Sequence, residues 1–300
     1  MKTTFGSTRL VTIMGLAVLL ALLPLQRALA FTIDGGSDYA VLFEGAGGNT
    51  MHVTNVTVNG NLGVGNNGLL DLSGPATVGR IDFSAADTGQ FSNTNAANVF
   101  TGPFYNVAAV TTALNYLNSL NASLGAESGT DVSINGSTTI NASAGTFHGS
   151  DSVFNVTAFN TTNSDVLTIN GDGIHDVVLN FIGLSANFNN QVVLNGLTSD
   201  KVLYNFVGGS GLTGGPTLQV NDNGHNNPSN MVFGDFLNPN GAISVVNTNL
   251  FGRVFGGDTH DIQIVSGDHI STAAPDSGST VLLLTLSLGL LAGAKRKLAS

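Results

Sequence analysis

The feature that most limits what this chain can become is its punctuation: 39 glycines in 300 residues, seven of them directly after asparagine, at Asn59, Asn67, Asn135, Asn170, Asn195, Asn223 and Asn240. Asparagine and glycine both tolerate positive φ, so each pair marks a sharp corner in the backbone. Between the corners lie short β-branched and aromatic runs at 39–43, 51–58, 153–159, 177–182, 201–206, 242–246 and 262–265, which read as strands. An Asn-Gly pair is the strongest short hairpin signal, and it suits equally the tight corners of a coil of parallel strands. The predicted fold class is mainly β, and the pattern leaves open two architectures, an irregular, solenoid-like β-helix and a β-sandwich. The intervals between the pairs, 8, 68, 35, 25, 28 and 17 residues, are too uneven for a strict fixed-period solenoid.

One segment departs from this pattern. Residues 104–124 hold no Gly or Pro, and Val107, Val110, Leu114, Leu117, Leu120 and Leu124 recur at steps of three and four. That spacing predicts an amphipathic helix, with Pro103 in its first turn and Gly125 just past its end. In a strand-rich chain its leucine face must lie on a sheet.

Charge is distributed unequally. Of nine Lys and Arg, three (Lys2, Arg9, Arg27) precede residue 31 and three (Lys295, Arg296, Lys297) end the chain, which leaves Arg80, Lys201 and Arg253 between. Residues 31–275 hold eighteen acids, a body of net charge −15. Such a body excludes nucleic acid as a partner. The absence of cysteine removes disulfides, thiolate metal sites and cysteine nucleophiles.

The basic ends read as addresses. Lys2 and Arg9 precede an apolar run over 10–23, and Ala28-Leu29-Ala30 follows, the order of a secretory signal cleaved after Ala30 by signal peptidase. At about fourteen residues the run is shorter than the roughly 20 that span a bilayer. Near the other end stand Pro275-Asp276-Ser277-Gly278, an apolar run over 281–294, and the basic stop Lys295-Arg296-Lys297. Basic residues beyond an apolar helix stay cytoplasmic, which places the body outside and gives it a transient membrane anchor. The expected domains are a signal peptide at 1–30, a β-rich body at 31–272 and a sorting tail at 273–300.

The tail resembles the PEP-CTERM class of bacterial sorting signals in its Pro-Asp-Ser-Gly variant, with Ala274 where valine is usual. The resemblance implies recognition by an exosortase-type transpeptidase and a protein that is released or re-attached outside the cell. Within the body, the segment from Leu167-Thr168-Ile169-Asn170-Gly171 to residue 183, then 201–206, then 234–257 are similar to the choice-of-anchor A family of bacterial surface proteins. That resemblance implies a β-helical adhesin and no catalytic signature.

Reactive chemistry is sparse. The six histidines, His52, His148, His175, His225, His260 and His269, lack the spacing of a zinc helix. Gly209-Ser210-Gly211 is not the G-x-S-x-G of a hydrolase elbow. Two Asp/Asn/Gly loops could offer oxygens to a structural calcium ion through Asp172 and Asp176 in one and Asp222 in the other. No other cofactor is expected. The function expected is a non-enzymatic exported surface or matrix protein that adheres to an extracellular polymer or surface ligand. Two alternatives stand beside it. One is an ice-binding protein, whose threonine face would begin at Thr54 and Thr57. The other is a polysaccharide-active β-helix enzyme.

Overall fold

The computed structural model describes residues 38–208, 215–221, 231–258 and 260–272. The segment expected to be a signal peptide, the sorting tail and Asp222 lie outside them. Alternating burial in strands such as Thr50–Thr54 and Val166–Asn170 is what a half-buried sheet requires. Here the strands coil: each pairs in parallel with the equivalent strand of the next turn, giving a stack of three faces around one apolar interior. The β-sandwich is thereby excluded. Among the described residues the one antiparallel pair is Thr146–His148 against Asp151–Val153.

The helix-covered face runs, in spatial order, through Asp151–Asn160, Asp176–Ile182, Val202–Val207, Asp235–Asn238, Val254–Gly256, Tyr39–Phe43, Asn61–Val64 and the end of Ala76–Phe83. The open face holds Ala186–Phe188, Leu218–Asn221, Ile243–Val246, Ile262–Val265, Thr50–Thr54, Leu69–Leu72 and Phe91–Asn93. The third face holds Thr138–Asn141, Val166–Asn170 and Gln191–Asn195, then Met231–Phe233, Asn249–Phe251, His269–Ser271, Val56–Asn59 and the start of Ala76–Phe83; the ladder is interrupted between Asn195 and Met231.

Chain order and spatial order differ. Tyr39–Phe43 is inserted between Val254–Gly256 and Asn61–Val64, so the first turns of the chain extend the stack beyond its last turn. The helix, Ala108–Gly125, then carries the chain back along the covered face to the opposite end, where Thr130–Asn135 pairs with Phe154–Asn160. Turn length varies: Val177 meets Val202 twenty-five residues on, Tyr204 meets Phe236 thirty-two on, and Phe236 meets Val254 after only eighteen. The uneven Asn-Gly intervals reflect these corner insertions, and the interval of 25 between Asn170 and Asn195 is one turn.

The predicted helix needs correcting at both ends. Phe104 and Pro103 belong to the strand Val99–Phe104, because pairing with Ala76–Phe83 holds that segment extended. Gly125 is the last helical residue, and Ala126 caps the helix. Likewise the run at 51–58 is two strands, bent at Asn55, whose φ of 57° turns the corner between two faces.

Val110, Ala113, Leu117 and Leu124 of the helix bury against Tyr39, Leu42, Val153, Val178, Leu203, Leu237 and Phe255. At about 1.5–3 kcal/mol for each large side chain removed from water, this second core fixes the helix firmly. A polar seam runs beside it. Asn155, Asn180 and Asn205 occupy one register position on successive turns. Asn205 Nδ2 donates to Asn180 Oδ1 at 2.8 Å, Asn121 Nδ2 donates to Asn205 Oδ1 at 2.7 Å, and Asn180 Nδ2 donates to the Leu124 carbonyl at 2.8 Å. Inside the coil, aromatic rings stack from turn to turn: Phe181 on Phe206, Tyr204 on Phe236, and Phe188 edge-on to both Tyr204 and Phe236.

Candidate binding surface

Two faces remain uncovered by the helix. Parallel pairing brings one outward side chain per turn into a row across the open face: Asn187, Gln219, Ser244, Gln263, His52, Asp71 and Ser92. At about 4.8 Å per strand the row is about 29 Å long, and all seven members are polar. A neighbouring row reads Asn221, Val246, Val265 and Thr54, with the Thr54 and Ser73 hydroxyls 2.6 Å apart. His52 sits centrally between two carboxylates, Nδ1 at 3.8 Å from Asp71 and Nε2 at 4.0 Å from Asp261.

The third face carries a different row. Asn170 Nδ2 donates to Asn141 Oδ1, and Asn195 Nδ2 donates to Asn170 Oδ1, each at 2.8 Å. Beside it Thr139 pairs with Thr168, and further along Thr57 pairs with Thr77. Thr54 and Thr57, expected to begin one threonine face, stand on two different faces because Asn55 turns the corner between them. At that corner a shallow depression of about 390 Å³ is lined by Thr57, Pro75, Thr77, Ala97 and Asp268.

Several acids are held in unusual states. Burial pushes Asp268 up to about 7, against the N–H groups of Thr248 and Val265. Burial likewise raises Glu44 to about 7, although the Asn118 amide donates to it. Asp235, fully buried, is raised to about 7 although Arg253 Nη1 lies 3.2 Å away. For Asp172 burial also acts upward, but hydrogen bonds from the backbone and ring of His175 and from the Ile174 N–H outweigh it and hold the carboxyl at about 2.

Two of the calcium candidates, Asp172 and Asp176, lie within the described residues. Asp172 Oδ1 accepts from the N–H groups of Ile174 and His175, and its Oδ2 lies 2.6 Å from His175 Nδ1. Asp176 is 2.8 Å from Lys201 Nζ. Each carboxylate thus has an internal partner. Among the described residues no three His, Asp or Glu side chains come together as metal ligands. Ala28, Ala30, Pro275, Asp276, Ser277, Gly278, Lys295, Arg296 and Lys297 lie outside the described residues. Among the described residues no helix is long and apolar enough to cross a membrane.

The asparagine rows and Asn121 carry none of the motif spacings that mark reactive or metal-binding groups. Their signal is a local repeat: Asp151-Ser152-Val153-Phe154-Asn155, Asp176-Val177-Val178-Leu179-Asn180 and Lys201-Val202-Leu203-Tyr204-Asn205 are spaced by 25.

Comparison with known proteins agrees with this architecture. Residues 29–265 match the family model described as "Putative Ice-binding-like adhesive domain", and residues 275–298 match the VPDSG-CTERM motif. The body therefore matches that family; the choice-of-anchor A resemblance is not matched. No curated protein sequence matches the chain. Among solved structures, an ice-binding protein from the Antarctic ascomycete Antarctomyces psychrotrophicus is 14% identical with a TM-score of 0.52, over 82% of this chain and 100% of that one. One from an Antarctic bacterium of the Flavobacteriaceae is 16% identical with a TM-score of 0.52, over 84% of this chain and 49% of that one. A glycosylated ice-binding protein from an Arctic yeast is 15% identical with a TM-score of 0.51, over 84% of this chain and 98% of that one. At these identities the likeness is one of fold.

Proposed function

The chain belongs to the ice-binding-like adhesive domain family, and from that premise we propose that its open seven-stranded face is the adhesive surface of an exported protein. The observation that carries this reading is the unbroken polar row from Asn187 to Ser92. Each hydrogen bond from such a side chain nets only about 0.5–1.5 kcal/mol. Adhesion then comes from repetition along the face and from many copies on one cell. The C-terminal sorting motif supports export to the cell surface or extracellular space. Cleavage after Ala30 by signal peptidase and processing at Pro275–Gly278 by an exosortase-type transpeptidase belong to the same proposal, as does a choice-of-anchor role for the tail.

The test is retention of the exported protein on its producer's extracellular matrix, with Gln219→Ala/Gln263→Ala as the variant. The proposal requires wild-type retention and at least a several-fold loss in the double variant at unchanged melting temperature. Equal retention of both removes the open face from the mechanism.

Ice binding is the second reading, favoured by the fold shared with ice-binding proteins. Matching a lattice needs one side chain repeated from turn to turn, whereas this row changes from Asn to Gln, Ser, His and Asp. Thermal hysteresis in a freezing assay would select it over polymer adhesion.

A further inference from the structure

Two of the most exposed large apolar side chains of the body, Ile174 at 74% and Phe147 at 49%, flank a single construction at the end of the stack where the helix delivers the chain. Phe147 lies in Thr146–His148, the strand that returns antiparallel against Asp151–Val153. Its ring rests flat on the imidazole of His175, with centroids 4.2 Å apart and planes at 14°. The imidazole is fixed in turn: Nδ1 meets Asp172 Oδ2 at 2.6 Å, while Asp172 Oδ1 accepts from the N–H groups of Ile174 and His175 at 2.9 and 2.8 Å. A carboxylate therefore anchors an imidazole, and the imidazole supports a phenyl ring half of which faces water. A ring held in one orientation loses little freedom on binding.

The surroundings define the ligand. The face of a phenyl ring carries negative potential and draws the weakly positive edges of C–H groups. At its margin stand the His175 imidazole and the Asp172 carboxylate that anchors it, both partly exposed. An apolar platform with a hydrogen-bonding edge suits a pyranose ring, which presents C–H groups on one side and hydroxyls at its margin. Charge argues for a neutral sugar. The body is net −15, and each of its three cations is bound to an aspartate: Arg80 to Asp82, Lys201 to Asp176 and Arg253 to Asp235. No free cation is left here to attract an acidic polymer.

We propose that Phe147, supported by His175, is a stacking platform for one sugar ring of a neutral polysaccharide. This shares with the adhesion reading only the premise of an extracellular polymer ligand. It uses a different surface, so either can fail while the other stands.

The test is native electrophoresis of the exported protein in gels cast with hydroxyethylcellulose, galactomannan or starch, with alginate as the acidic control. At least one neutral polymer is expected to retard the wild type and alginate not to. Phe147→Leu, which keeps apolar bulk and removes the ring, should weaken the dissociation constant about tenfold, equivalent to about 1.4 kcal/mol. Phe147→Trp should retain binding, and Asn115→Ala, at an exposed helix position away from both surfaces, should not alter it. Retardation of Phe147→Leu equal to wild type overturns the platform, as does retardation by alginate alone or by no neutral polymer. Melting temperatures of all variants confirm that loss of binding is not loss of fold.

Discussion

Replacing Asn121 by alanine puts the docking of the helix to a direct test. The side chain is 5% exposed, and its Nδ2 donates to Asn205 Oδ1 at 2.7 Å and to the Phe206 carbonyl at 2.8 Å. Asn205 in turn donates to Asn180 Oδ1 and to the Asn121 carbonyl. The substitution strips two buried acceptors of a donor in a site closed to water. Each acceptor so left costs about 1–3 kcal/mol. Because the Phe206 carbonyl can share a sheet donor, the expected loss is about 3 kcal/mol in total. For a body of this size that corresponds to a fall in melting temperature of about 6–12 °C. The control is Asn115→Ala on the exposed side of the same helix, where the propensity gain of alanine over asparagine is the same and no buried acceptor is orphaned. Urea unfolding of both variants gives the comparison. If Asn121→Ala lies within about 0.5 kcal/mol of Asn115→Ala, the asparagine seam does not hold the helix and the reasoning fails. Asn205→Leu combined with Asn121→Ala should cost less than the sum of the single changes, since the two act on one network.

Further expectations follow from the same geometry. Phe188→Ala empties the centre of the ring stack formed with Phe159, Tyr204 and Phe236 and should cost about 3–5 kcal/mol in denaturant unfolding; a loss below about 1 kcal/mol would mean that the stack is loosely packed. Gly65→Ala would place a Cβ 2.0 Å from the Glu44 carbonyl and should lower stability by about 1–3 kcal/mol in the same assay. Glu44, Asp235 and Asp268, all raised to about 7, hold protons more tightly when folded than when unfolded. Their contribution is full below the unfolded values near about 4 and is lost as pH rises through about 7. Melting temperature should therefore fall between about pH 4 and pH 7, and Asp268→Asn should shallow that fall; a flat or rising profile refutes the assignment. Asp172, held at about 2, acts in the opposite sense, with its contribution lost as pH falls from about 4 towards 2. The intact mass of the exported protein should correspond to a chain from Phe31 to near Pro275, and retention of Lys295–Lys297 would mean that the tail is not cut.

Much of the fold was legible because its physics is local. The runs at 39–43, 177–182 and 262–265 became Tyr39–Phe43, Asp176–Ile182 and Ile262–Val265, since β-branched side chains and flanking corners both favour extended backbone. The helix was legible from its leucine period, but its start was not. Gly102-Pro103-Phe104 continues a strand only because a neighbouring strand pairs with it. The binding surface was less legible still. His52, Gln219 and Gln263 lie far apart along the chain, and only the parallel register places them in one row.

By itself the sequence determined the short strands, the corners, the single amphipathic helix and the acidic body set between two basic ends, because propensity, periodicity and charge are properties of neighbouring residues. The tertiary structure decided that the strands coil in parallel, that the first turns are inserted beside the last, and which outward side chains share a face. Those outcomes depend on pairing between residues twenty or two hundred positions apart, as when Met51 meets both Leu70 and Ile262, and no local pattern records that choice. The threonines at 54 and 57 show the difference most simply: three residues apart in sequence, they are separated onto two faces by one left-handed asparagine.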